Sequence, residues 1–100
     1  MEKINDRTFE KEVIQSEMPV LVKFGAPWCE PCKTLDIYLK DIETRVDAKI
    51  VEMDVSENQT VPQNYMIMSV PTVMLFRDGI PIKTRTGLAD RAYYEEMCNG

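Results

Sequence analysis

The sequence predicts an α/β protein with a largely buried, mixed β-sheet, and two observations support this prediction. The short apolar run Val20–Gly25 is followed by a helical pattern and then by a second strand-like run, Lys49–Val55. A strand, a helix and a strand in this order form a right-handed crossover unit whose two strands are parallel. Further along, Pro71–Phe76 and Ile80–Arg85 are separated by an Asp-Gly dipeptide, which is typical of an antiparallel hairpin. Ile4 is expected in a short first strand.

Four helical segments are predicted around these strands. The first begins at Asp6 as its N-cap and ends before Pro19, which cannot continue a helix. The second carries an apolar stripe with helical spacing, formed by Leu35, Leu39, Ile42 and Val46. The others span Val61–Met68 and Arg91–Met97, and Asp90 is expected to cap the last of them.

Composition and charge exclude several classes of function. The 100 residues fit one domain, 1–100, and 44% hydrophobic residues are enough for a packed core. A formal net charge of −5 argues against nucleic acid or an anionic membrane surface as the partner. No apolar run resembles a signal peptide or a membrane span, so we expect a cytoplasmic protein. In that compartment disulfides are usually transient and catalytic.

Three cysteines and the absence of histidine restrict the available chemistry. Without histidine the chain has no imidazole to act as a catalytic base or a metal ligand. Cys29 and Cys32 could form half of a zinc site, but the two further ligands would have to come from elsewhere and only Cys98 remains, so structural zinc is disfavoured. Cys98 is expected to be an ordinary structural residue near a helix end, with a regulatory or dimer-forming thiol as the alternative.

The placement of Cys29 and Cys32 is more informative than their spacing, because the pair follows a buried strand and opens a helix. The first turn of a helix leaves backbone N–H groups unpaired and carries a partial positive charge. A thiolate at this position is stabilised and becomes a nucleophile at neutral pH. Two thiols on one helical turn can also close a disulfide with little backbone movement. A C-x-x-C in this context predicts a redox-active dithiol.

The stretch Trp-Cys-Glu-Pro-Cys-Lys, Trp28–Lys33, resembles the active site of thioredoxins, which is usually Trp-Cys-Gly-Pro-Cys-Lys. The segment Ser69–Thr72 is similar to the family's Gly-Ile-Pro-Thr, whose proline is cis. The Asp-Gly turn at 78–79 and Gly87 also match the family. The resemblance covers essentially the whole chain. It implies the thioredoxin fold, in which about four helices flank a central five-stranded mixed sheet.

The resemblance also implies a protein-disulfide reductase that works by dithiol/disulfide exchange. Cys29 would be the exposed attacking thiol, which forms a mixed disulfide with a disulfide-containing protein substrate. The more buried Cys32 would then attack Cys29 and release the reduced substrate. No cofactor is implied beyond the redox-active Cys29–Cys32 disulfide. The implied electron donor is a thioredoxin-reductase-like flavoenzyme, and we expect a monomer.

A substrate-contact surface around the two cysteines follows from the same resemblance. An extended substrate peptide would pair with the backbone at Val70, as an added strand, and Pro31 would keep the start of the helix rigid. The residues of this surface are Trp28, Pro31, Val70, Pro71 and Gly87.

Three residues depart from the family pattern. Glu30 replaces the usual glycine between the cysteines, and its negative charge should disfavour the thiolate of Cys29. Gly25 stands where thioredoxins often have an aromatic residue, so the wall beside the site should be more open. Lys23 stands where a buried aspartate usually helps the second cysteine to lose its proton. These departures bear on the redox potential and the choice of partner.

Lys23 needs a partner if it points into the protein, because burying an unpaired ammonium costs several kcal/mol. Aligning Asp-Val-Ser-Glu-Asn (54–58) with the family places Glu52 where thioredoxins have a lysine. We therefore predict a buried or half-buried ion pair between Lys23 and Glu52 beneath Cys32, with Glu52 as proton acceptor for Cys32. The alternative is that Lys23 extends along its aliphatic stem to solvent.

Two other functions stay open. The first is a more specialised oxidoreductase, glutaredoxin-like or isomerase-like, tuned by Glu30 and Lys23. The second is a non-enzymatic module that uses the fold for protein interactions. The presence of both cysteines together with Trp28 and Pro71 argues against such a module.

Overall fold

Five strands form one mixed sheet in the computed structural model, which describes residues 1–100. The strands are β1 (Glu2–Lys3), β2 (Val20–Gly25), β3 (Lys49–Asp54), β4 (Thr72–Arg77) and β5 (Ile80–Thr86). Their order across the sheet is β1-β3-β2-β4-β5. β3 runs parallel to β1 and β2, whereas β4 runs antiparallel to β2 and β5. This architecture confirms the predicted fold class.

Helices cover both faces of the sheet, and their ends differ from the predicted ones. A π-helical segment spans Glu10–Ile14, and three α-helices follow: α1 (Glu30–Ile42), α2 (Thr60–Asn64) and α3 (Arg91–Asn99). None of the helices combines the length and the apolar character needed to cross a membrane.

Three predicted helices are shorter in the structure, and the first of them, expected from Asp6 to Pro19, is reduced to the π-helix Glu10–Ile14. Val46, placed on the stripe of α1, lies beyond the end of the helix, but it still packs against the core. α2 ends at Asn64 instead of Met68, because the backbone turns into the left-handed region at Met66, where φ is 56°. Asp90 caps α3 as predicted, since its carboxylate accepts a hydrogen bond from the N–H of Tyr93 at 3.0 Å.

The prediction that Asp6 caps the first helical segment is wrong. The turn that precedes this segment is held by Asn5, whose side-chain oxygen accepts hydrogen bonds from the N–H groups of Arg7 and Thr8 at 2.8 and 3.0 Å. The carboxylate of Asp6 instead accepts hydrogen bonds at the start of α2, from the N–H groups of Gln59, Thr60 and Val61 at 3.1, 3.1 and 2.9 Å. A carboxylate can accept the unpaired N–H groups of any helix start that the tertiary fold brings close to it, including one far away in sequence.

Asp6 is expected to make stability depend on pH. Partial burial alone would raise its pKa, but the backbone N–H groups of Val61, Thr60 and Gln59 outweigh it and hold the pKa below 3.8. A carboxyl group whose pKa is lowered by folding stabilises the protein above its unfolded pKa, and this contribution is lost as the pH falls through the folded pKa. Asp6→Ala should therefore lower the free energy of unfolding by about 1 kcal/mol at pH 7.

Urea denaturation at pH 7 and at acidic pH tests this expectation. The difference between wild type and Asp6→Ala should shrink once the pH falls below about 4. Asp47→Ala is the control, because Asp47 is exposed and its side chain makes no hydrogen bond. A difference that persists undiminished at low pH would contradict the cap.

Two hydrophobic cores lie on opposite faces of the sheet, and β2 contributes to both because its side chains alternate. One face buries Val20, Val22 and Phe24. The other face, covered by α1 and α3, buries Leu21, Leu35, Leu39, Tyr94 and Met97. Lys23 alternates onto this second face, under α1, and is only 5% exposed. The middle of the sheet thus directs a charged side chain into the protein.

Candidate active site

Three loops meet at one end of the sheet because of the strand register. Phe24, near the end of β2, pairs with Thr72 at the start of β4. Thr72 in turn pairs with Thr86 at the end of β5. The loop after β2, the segment before β4 and the loop after β5 are therefore neighbours. These segments carry Cys29, Pro71 and Gly87.

Cys29 and Cys32 form a disulfide, with their Cα atoms 5.3 Å apart. Cys29 is the N-cap of α1 and has an extended backbone, and its sulfur accepts a hydrogen bond from the N–H of Cys32 at 3.3 Å. Pro31 lies in the first turn, where its missing N–H leaves no intrahelical bond unmade. The prediction that this pair opens a helix is confirmed. The sulfur of Cys29 occupies the site where a helix stabilises negative charge.

The prediction that Cys29 is exposed is wrong for the disulfide form. Cys29 is 5% exposed and Cys32 is 3% exposed, so both residues are almost entirely covered. The reason is local: the sulfur of Cys29 faces the sulfur and the amide of Cys32 instead of solvent. Cys29 is the more accessible of the two by a small margin only.

Around the disulfide, the residues predicted to contact substrate differ in exposure. Trp28 is 71% exposed, so it lies on the surface and not in the core. Val70 is half-buried and Pro71 is buried. The peptide bond between them is cis, as predicted. The N–H of Gly87 donates a hydrogen bond to the carbonyl of Pro71 at 2.8 Å, which joins two of the three loops.

Glu30, the residue between the cysteines, is paired at the surface. Its carboxylate lies 2.9 Å from the ammonium of Lys33, and both side chains are well exposed. An exposed pair of this kind contributes little to stability. The pair does place the positive charge of Lys33 beside the negative charge of Glu30, the residue that follows Cys29.

The predicted ion pair between Lys23 and Glu52 is not the one in the structure. The two residues are neighbours in register on β2 and β3, but the ammonium of Lys23 lies 2.6 Å from a carboxylate oxygen of Asp36 on α1. Lys23 projects towards the helix that covers this face of the sheet, and Asp36 is on that helix. The alternative in which Lys23 reaches open solvent is also wrong, since its side chain is 7% exposed.

Asp36 is not among the predicted site residues, because the family pattern places the partner of Lys23 on β3 and not on α1. A sequence signal for it exists, since Asp36 is four residues after Cys32 and therefore lies one turn along the same face of α1.

A cavity of about 260 Å³ opens behind the two cysteines. Its walls include Gly25, whose lack of a side chain leaves room for Lys23 and for the sulfur of Cys32. The charged residues that line the cavity are Lys3, Lys23, Lys33, Asp36, Glu52 and Asp54. Glu52 therefore faces the same space as Lys23, although the two are not paired. No group of three or more Cys, Asp and Glu side chains is arranged to hold a metal ion.

Cys98 lies in the last turn of α3 and is 2% exposed. Burial raises the pKa of its thiol to about 11. The residue packs in the core between the sheet and helices α1 and α3. Its predicted place near a helix end is confirmed, and its thiol is protonated and shielded at neutral pH.

Comparison with known proteins agrees with this geometry. The family model described as thioredoxin matches residues 1–98. A thioredoxin of Rickettsia bellii is 41% identical over 100 residues, covering 96% of this chain and 93% of the relative. A thioredoxin of Mycobacterium tuberculosis is 38% identical over 92 residues, covering 90% of this chain and 79% of the relative.

Among solved structures, a mutant thioredoxin from Halobacterium salinarum superposes with a TM-score of 0.90 at 30% identity, covering 97% of this chain and 86% of that one. The extent of these matches shows the family, and the C-x-x-C pair, closed as a disulfide at the start of a helix, agrees with it. The chain belongs to the thioredoxin family and is a thiol–disulfide oxidoreductase that uses Cys29 and Cys32.

Proposed function

We propose that residues 1–100 act as one thioredoxin-like domain, a cytoplasmic monomer that reduces disulfides in other proteins. Its redox centre is the Cys29–Cys32 pair within Cys-Glu-Pro-Cys, without a bound cofactor, and its electron donor is a thioredoxin-reductase-like flavoenzyme. The observation that supports this most directly is the sulfur of Cys29, which caps α1 and accepts the N–H of Cys32 at 3.3 Å. A relative of nearly the same length that is named thioredoxin supports the electron donor and the substrate class.

The two cysteines have different roles in this proposal. The thiolate of Cys29 attacks one sulfur of a substrate disulfide, and the other substrate sulfur leaves with the electron pair. The thiolate of Cys32 then attacks Cys29, which closes the Cys29–Cys32 disulfide and releases the second substrate sulfur. The position of Cys29 at the helix start and of Cys32 inside the first turn supports this order, because the unpaired N–H groups favour a thiolate at the N-cap.

Substrate is proposed to bind along the three loops that surround the disulfide. Neither the N–H nor the carbonyl of Val70 has a backbone partner, so both are available to an extended peptide that adds to this end of the sheet. Trp28 offers an exposed aromatic surface next to Cys29. Pro31, Pro71 and Gly87 would complete this surface.

Reduction of insulin tests the proposed function. In the presence of dithiothreitol, or of NADPH with a thioredoxin reductase, the protein should accelerate cleavage of the insulin interchain disulfides, followed as precipitation of the free B chain. The control is the same protein with Cys29 and Cys32 alkylated beforehand, because alkylation removes both reactive thiols. A rate equal to that of the reductant alone would refute the proposal.

A further inference from the structure

The side chain of Lys23 passes directly beneath Gly25 towards Cys32. A Cβ atom built on Gly25 would lie 2.7 Å from Cε of Lys23, 3.1 Å from its Nζ and 3.2 Å from Sγ of Cys32. The ammonium and the sulfur therefore border the same small space, which only glycine leaves free. Gly25 does not need a left-handed backbone, because only Gly79 and Gly87 among the glycines have positive φ. Its role at this position is to provide room.

Asp36 holds the ammonium in this place. The distance from Nζ of Lys23 to the Asp36 carboxylate is 2.6 Å, and the two side chains are 7% and 32% exposed. A buried ammonium requires such a partner, and a charged hydrogen bond also restricts the rotamers of a long side chain. Asp36 lies one helical turn after Cys32 on α1, so the carboxylate anchors Lys23 from the helix that carries the sulfur.

We propose that Lys23, anchored by Asp36 in the space left by Gly25, is the counter-cation that favours the thiolate of Cys32 and so speeds the resolving step. This inference rests on the proposed function and deepens it. Lys23 and Asp36 are positioning residues, because neither is proposed to touch substrate. The carboxylate role predicted for Glu52 is replaced by an ammonium acting through its charge.

The resolving step balances without any further reagent. The thiol of Cys32 releases its proton to water, and its electron pair forms the bond to Sγ of Cys29. The bond between Cys29 and the substrate sulfur breaks, and that sulfur leaves with the electron pair and takes a proton from solvent. A nearby positive charge lowers the free energy of the Cys32 thiolate relative to the thiol, so more of it is ready to attack at neutral pH.

Several other charged groups face this cavity, and they come from every element around it. They are Lys3 on β1, Glu52 and Asp54 on β3, and Lys33 and Asp36 on α1. Lys33 is paired with Glu30 at the surface, and Asp54 accepts hydrogen bonds from Ser56. Lys23 is the group whose charged atom is among the three heavy atoms nearest to the Gly25 space, together with the sulfur of Cys32.

Ionisation of Cys32 can be measured directly in a Cys29→Ser background, as the pH dependence of its alkylation by iodoacetamide. Cys98 does not interfere, since burial raises its pKa to about 11. Lys23→Met should move the midpoint upward by about one pH unit, which makes alkylation roughly tenfold slower at pH 7. Gly25→Ala, which keeps the charge but displaces the ammonium, should move the midpoint in the same direction. Glu52→Gln is the matched control and should give no upward shift.

Two double variants separate the ammonium from other causes. Lys23→Met combined with Gly25→Ala should have the same alkylation midpoint as Lys23→Met alone. Each change removes the same interaction, that between the Lys23 ammonium and the Cys32 thiolate. Lys23→Met combined with Asp36→Asn should still show an upward shift. A return to the wild-type midpoint in this second variant would assign the effect to an unpaired Asp36 and overturn the inference.

An unchanged midpoint in Lys23→Met would also overturn the inference, and an upward shift in Glu52→Gln alone would restore Glu52 as the proton acceptor. Insulin reduction by the wild-type protein distinguishes the role of Lys23 from the proposed function. If wild type reduces insulin but Lys23→Met leaves the midpoint unchanged, only the role of Lys23 fails. If wild type does not reduce insulin, the proposed function fails whatever the midpoint does.

Discussion

Replacing Cys29 by serine should abolish reduction of protein disulfides. We expect the rate of insulin reduction to fall by about 100-fold or more, to the level of the reductant alone, since removal of a catalytic nucleophile usually eliminates the enzymatic rate. A hydroxyl at the start of α1 can still accept the N–H of residue 32, so the helix cap is preserved and the loss reports chemistry. The measurement is the insulin precipitation assay at pH 7.

Replacing Cys32 by serine should have a different result, because the first attack remains possible and the second does not. The mixed disulfide between Cys29 and the substrate should accumulate, visible by mass spectrometry as a covalent adduct that dithiothreitol removes. Cys98→Ser is the control and should retain wild-type activity, since Cys98 is buried in the core under α1 and α3 and does not line the cavity behind the disulfide. Adducts that form in Cys29→Ser instead of Cys32→Ser would reverse the two roles.

The largest expected effect on stability comes from the helix that carries Cys32. Leu35 on α1 is fully buried in the core shared with α3. Leu35→Ala should lower the free energy of unfolding by about 2–5 kcal/mol, through lost burial and the cavity left behind. For a domain of this size that corresponds to a fall in Tm of roughly 10 °C or more.

Ile37→Ala provides a matched control for this substitution on the same helix. Ile37 is 64% exposed, so its truncation should change the free energy of unfolding by no more than about 0.5 kcal/mol. Both variants can be compared by urea denaturation of the oxidised protein. Equal losses for Leu35→Ala and Ile37→Ala would mean that α1 does not pack on the sheet through the face described.

Elements with strong local patterns could be predicted from the sequence. The apolar run of β2 has the length and composition of a strand buried on both faces, and all six of its residues are buried. The hairpin between β4 and β5 could be predicted because the dipeptide Asp-Gly favours a two-residue turn in which both residues have positive φ. Asp78 and Gly79 have φ values of 55° and 78°. Helix ends were less predictable, since an apolar position such as Val46 stays half-buried whether or not the helix continues to it.

The sequence by itself determined the order of the strands along the chain, the helix that opens at Cys29, and the dithiol as the centre of the chemistry. These properties depend on residues close together in the chain, where periodicity, turn propensity and helix-start electrostatics apply directly. Only the tertiary structure decided that Asp6 caps α2 and that Lys23 pairs with Asp36 instead of Glu52. A charged side chain forms its bond with whichever group the packing of helices on the sheet brings within about 3 Å, and residues far apart in sequence meet there through the fold.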